Sequence, residues 1–94
     1  MSNRFSSVWE AIEDTPEQSA ELRARAELLR KLQESIRSRE LTQVEAARRL
    51  GVTQPRVSDL MRGRIERFSI DTLLGMLERL GVHVTFQFDE TAGA

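Results

Sequence analysis

Two threonines eleven positions apart, Thr42 and Thr53, bracket a stretch that can hardly be anything but one short helix, a tight corner and the start of a second. Thr42 is placed to cap a helix, with Glu45 three residues on to complete a capping box. Ala46, Ala47 and Leu50 supply an apolar stripe at helical spacing, and Gly51 stops the helix as a left-handed residue. Thr53 caps again, and Pro55 follows Gln54 where an early helical N–H has no partner to lose. Val57, Leu60 and Met61 are expected to face inward, leaving Gln54, Arg56, Ser58, Asp59 and Arg62 outside until Gly63 ends the helix. An outer face that begins with Gln, Arg and Ser is equipped to meet phosphates and base edges.

The chain has 94 residues, enough for one domain with a modest core. Its 39% hydrophobic and 31% charged residues suit a folded, water-exposed helical protein and are too apolar for a disordered one. No stretch reaches the length of a membrane span, the first residues lack a signal-peptide pattern, and the absence of cysteine fits a cytoplasmic setting.

The formal net charge of −1 argues against a nucleic-acid partner, but its distribution argues for one. Arg48, Arg49, Arg56, Arg62, Arg64 and Arg67 face only Asp59 and Glu66 in that stretch, a local balance of +4. Residues 1–22 carry Arg4 against Glu10, Glu13, Asp14, Glu17 and Glu21, a balance of −4. The basic stretch is a natural phosphate surface, and the acidic end is either a solvated face or a dock for a basic partner.

Along the chain, Phe5, Val8, Trp9 and Ile12 have helical spacing, which defines residues 1–14 as a segment with a short amphipathic helix. Thr15-Pro16-Glu17-Gln18 opens a long helix running to about Ser38, with Leu22, Ala26, Leu29, Leu32 and Ile36 as its buried stripe. After the two motif helices a linker, Gly63 to Phe68, carries Arg64 and Arg67. Ser69 caps a further helix with Leu73, Leu74, Leu77 and Leu80 on its core face, and Gly81 closes it. Residues 15–81 thus form the domain body. Val82-His83-Val84-Thr85-Phe86-Gln87-Phe88 then alternates apolar and polar, the signature of a strand. A lone strand needs a partner, so Val82, Val84, Phe86 and Phe88 are expected to pair across a dimer or with another protein, the alternative being a frayed extended tail laid on the helices. Residues 89–94 read as a disordered tail.

Catalysis is not expected. One histidine, no cysteine and no tyrosine leave only carboxylates and serines, with Ser and Asp mostly at helix caps, and nothing points to a cofactor or a metal. His83 reads as an ordinary surface or interface residue. A pair of capped helices also occurs in proteins that bind only other proteins, which leaves a protein-only adaptor as an alternative.

The run from Leu41 to Gly63 resembles the helix-turn-helix of Cro/C1-type (XRE) transcription regulators. The wider frame, with its opening Phe5-Ser-Ser-Val-Trp-Glu-Ala-Ile12, resembles the HigA-type antitoxins of HigB–HigA toxin–antitoxin operons. The resemblance covers nearly all of residues 5–88. It implies an all-α, five-helix Cro/C1-like (lambda repressor-like) DNA-binding domain with a short C-terminal β-strand pairing across a homodimer. It implies a repressor of a palindromic operator in double-stranded DNA, and for an antitoxin a basic ribonuclease toxin as second partner; a solitary phage-type repressor shares the same motif. By position it assigns Gln43 and Gln54 to the helix N-termini on phosphates, with Gln54 also within reach of a base, and Arg56, Ser58 and Asp59 to the groove; Thr53, Arg62 and Arg64 complete the expected DNA-binding residues. Arg56 is the expected guanine contact, and Asp59 either accepts from a cytosine amine or orients Arg56 or Arg62. Pro55 stands where many relatives carry a polar reader. The acidic N-terminus is the candidate toxin contact, although Trp9 fits core packing as well.

Overall fold

A computed structural model describes residues 15–91. The expected helix at residues 5–12, its Trp9 and residues 92–94 of the tail lie outside the described residues. Four α-helices and one 3₁₀ turn make up the body: α1 (Pro16–Ser38), α2 (Gln43–Leu50), α3 (Gln54–Met61), the turn Ile65–Arg67, and α4 (Ile70–Arg79).

Each helix begins where its cap predicts. Thr15, Thr42, Thr53 and Ser69 have extended backbones, and their hydroxyls accept from the N–H of Gln18, Glu45, Arg56 and Thr72, satisfying donors that a first helical turn leaves open. The Thr42 capping box is complete: the Glu45 carboxylate accepts from the Thr42 N–H at 2.9 Å. Gly51 takes the left-handed conformation (φ +73°), its N–H and that of Val52 both closing onto the Ala47 carbonyl, at 2.9 and 3.0 Å.

The core forms where α1 packs against α4 and α2 against α3, with α1 also touching α3 and α2 touching α4. Leu32, Ala46, Val57, Leu60, Leu73 and Leu77 are fully buried, with Leu29, Ile36, Leu50, Met76 and Leu80 around them. Two polar links join the helices: the Gln33 amide donates to the Leu60 carbonyl at 2.9 Å, and the Arg39 guanidinium donates to the carbonyl of Leu80. Both carbonyls lie at helix C-termini, where the last C=O groups lack i+4 partners.

Three expectations are corrected. The α1 stripe is shorter than its periodicity suggests: Leu22 is 44% exposed and Ala26 is exposed, because nothing described lies over the first turns of α1. The stretch after Gly63 is not a plain linker, since it closes a 3₁₀ turn and delivers Phe68 into the core at 1% exposure. Finally, the described residues contain four α-helices rather than five and no strand; residues 82–91 run without regular structure. Strict alternation specifies which side chains share a face, but a strand also needs a neighbouring backbone to accept and donate its hydrogen bonds, and no described segment lies alongside. Val82 and Val84 instead pack against the helical core through their side chains.

Candidate nucleic-acid interface

The corner between α2 and α3 is rigid for local reasons, and that rigidity aims α3. Gly51 reverses the chain, half-buried Val52 packs against the core beneath it, and Thr53 restarts the helix without an intervening loop. With about 100° between successive helical residues, Val57 and Leu60 turn inward while Pro55, Ser58, Asp59 and Arg62 lie on the opposite side, with Gln54 at the open N-terminal end. Gln54 and Arg62 are exposed and Ser58 is half-buried. Gln43, the first residue of α2, is also exposed, and Arg48 and Arg49 are exposed in its last turn. Thr53 has its hydroxyl committed to the cap.

The remaining expected site residues are tied to one another more closely than their spacing suggests. Arg56 does not extend from α3. Its guanidinium lies 4.2 Å from the centroid of the Phe68 ring, and its Nη1 donates to the Arg67 carbonyl at 2.8 Å. Asp59 does orient arginines, but not Arg56 or Arg62: it pairs with Arg67 at 3.1 Å and with Arg64 at 3.8 Å. These pairings, with Glu66 a further 4.0 Å from Arg67, hold two cations beside the outer face of α3.

Behind them a polar cavity of about 320 Å³ is lined by Arg25, Arg56, Glu66, Arg67, Phe68, Ser69 and Thr72, at the N-terminus of α4. Arg25 reaches it from α1, held by Glu21 at 2.8 Å and directed toward the Ile65 carbonyl. Asp71 occupies the first turn of α4. Its carboxylate accepts from the Ser69 hydroxyl at 2.5 Å, and that hydrogen bond, with the N–H groups of Asp71 and Thr72, holds its pKa below the usual carboxylate value.

Four arginines join the site that motif spacing does not assign to it: Arg25, Arg48, Arg49 and Arg67. The positive balance of the 48–67 stretch points to three of them collectively, whereas Arg25 lies 40 residues before Ile65 and nothing local connects the two. No metal-binding group of three or more His, Cys, Asp or Glu side chains occurs among the described residues. No described helix is long and apolar enough to cross a membrane.

Comparison with known proteins agrees with this geometry. A family model described as a helix-turn-helix domain matches residues 11–88. A solved structure described provisionally as an XRE family transcriptional regulator superposes with a TM-score of 0.71 at 31% sequence identity, over 79% of this chain and 83% of that one. No curated protein matches. Capped helices joined by a glycine corner, a family match over most of the chain and this structural likeness together show that the chain belongs to the helix-turn-helix family of XRE type.

Proposed function

We propose that the protein is a sequence-specific DNA-binding transcription regulator, a repressor that works as a homodimer on a palindromic operator. The observation that carries this reading is the α2–α3 corner, which holds α3 at the surface with Gln54, Ser58 and Arg62 outward and the cations Arg64 and Arg67 beside it. In this reading α3 enters the major groove of one half-site. Gln43 and the capped ends of α2 and α3 meet phosphates, where helix N-termini favour anions. Gln54 and Arg62 reach base edges, and Arg64 and Arg67 grip the flanking backbone. Arg56 acts as a positioning residue, fixing the loop that carries them. Two copies would place their α3 helices about one helical turn apart, roughly 34–36 Å.

The test is protection of the DNA upstream of the protein's own reading frame, with and without Gln54→Ala plus Arg62→Ala. A footprint of two half-sites, lost or relaxed in sequence preference in the double variant, supports the assignment. An unchanged footprint removes α3 as the reading element.

A second role, as an antitoxin that also represses its own operon, is favoured by the −4 balance of residues 1–22 and by the resemblance of the opening segment. An acidic segment with a tryptophan suits a basic protein partner. A neighbouring reading frame for a basic ribonuclease that copurifies with this chain supports that role; a reading frame standing alone, with nothing copurifying, leaves a solitary repressor.

A further inference from the structure

The apolar alternation of residues 82–88 divides in two. Val82 and Val84 are half-buried against the helices, whereas Phe86 is 71% and Phe88 88% exposed. Two phenylalanines in water two positions apart are costly in a chain this small and mark an interaction site. Beside them lies an apolar groove of about 490 Å³, floored by Leu28 of α1 and by Ile70 and Leu74 of α4, with Val84 and Phe86 along one wall.

The charged residues of the groove are already paired, Glu27 with Arg30 at 3.1 Å and Lys31 with Glu34 at 3.6 Å, and the His83 ring lies 3.2 Å from the Glu78 carboxylate. The groove therefore selects an uncharged apolar plug rather than a charged segment, and this protein carries one. We propose that Phe86 and Phe88 of one copy seat in the Leu28–Ile70–Leu74 groove of a second copy, and reciprocally. This rests on the homodimeric reading of the regulator and deepens it by naming the surface. Because each copy offers both plug and socket, the interface is isologous and closes at two subunits. Burying the exposed parts of two phenylalanines and the matching socket, twice over, removes about 1,000–1,600 Å² from water. Specific stable interfaces begin near 1,200 Å². The association comes from side chains entering a groove, and no backbone ladder between copies is invoked.

Sedimentation velocity at micromolar concentration tests it with three proteins: wild type, Phe86→Asp/Phe88→Asp, and Leu74→Arg. The wild type is expected at twice the monomer mass and both variants at the monomer mass. The exposed phenylalanine pair can be replaced without disturbing the core, so that variant decides the matter even if Leu74→Arg fails to fold. Either variant remaining fully dimeric overturns the proposal. So does a monomeric wild type, and a shift of its Trp9 emission on Leu74→Arg would then assign the groove to residues 1–14 of the same chain. Binding of the monomeric variants to a single DNA half-site, measured in parallel, separates this outcome from the DNA reading. A dimer that binds no DNA defeats only the latter, and half-site binding with dimerisation unaltered defeats only the former.

Discussion

The guanidinium of Arg56 stacks 4.2 Å from the centre of the Phe68 ring while donating to the carbonyl of Arg67 at 2.8 Å. One side chain from the outward helix thus ties down the loop that carries Arg64 and Arg67. Arg56→Ala is expected to lower stability by about 1–2 kcal/mol, because it removes both the cation–π interaction and the hydrogen bond. Urea unfolding measures this. On DNA the same change should weaken binding to all sequences alike, whereas removing a base-reading side chain would relax preference at one position.

Two glycines should respond to alanine with opposite signs. Gly51 has φ +73°, and a Cβ there would lie 3.0 Å from Nη1 of Arg79. Gly51→Ala is expected to cost about 1–2 kcal/mol, chiefly from the left-handed backbone, since the arginine tip can move aside. Gly75 lies within α4, exposed and with no atom within 4 Å of an added Cβ. Gly75→Ala should stabilise by about 0.5–1 kcal/mol. Thermal unfolding of both variants checks the pair.

Acid should loosen the start of α4. The pKa of Asp71 is depressed in the folded state, first by the Ser69 hydroxyl and then by backbone N–H groups. A depressed carboxyl contributes stability above its unfolded value, 3.8, and loses it as pH falls through the lower folded value. The difference in Tm between the wild type and Asp71→Asn should therefore be present at neutral pH, begin to shrink below about pH 4 and vanish only once the pH is under the lower folded value. Melting curves across that range measure it, and a constant difference would assign the loss to packing instead.

The parts of the fold that are legible in the sequence are those set within a turn or two of chain. Thr42, Glu45, Gly51 and Thr53 specify the α2–α3 corner through partners three or four residues away, and all four adopt their expected roles. The pairing of Arg56 with Phe68 is not legible, because it spans a loop and neither periodicity nor capping signals it. Asp59 is predictable in kind but not in partner, for the same reason: Arg67 becomes its neighbour only once the 3₁₀ turn forms. At 82–88 the alternation misleads, because no neighbouring backbone turns it into a strand. Its first two apolar residues go to this chain's own core and its last two to solvent.

Each outward residue should leave a distinct mark on DNA. Gln54→Ala or Arg62→Ala is expected to cost about 1–3 kcal/mol of discrimination between base pairs at one position of each half-site. Arg48→Ala or Arg49→Ala should weaken binding without altering the preferred sequence, as phosphate-binding arginines do. Competition binding against operators changed at single positions distinguishes the two classes.

The most direct measurement is the affinity of the wild-type protein for the DNA upstream of its own reading frame as a function of salt. Arginines that displace counterions give log K falling linearly with log salt, at about −0.9 for each phosphate neutralised. The predicted result is specific binding with a slope steeper than about −4, made shallower by about 2 in an Arg64→Ala dimer, where each protomer neutralises one phosphate fewer. Absence of saturable binding, or an affinity indifferent to salt, would contradict a DNA-reading role for this helix-turn-helix.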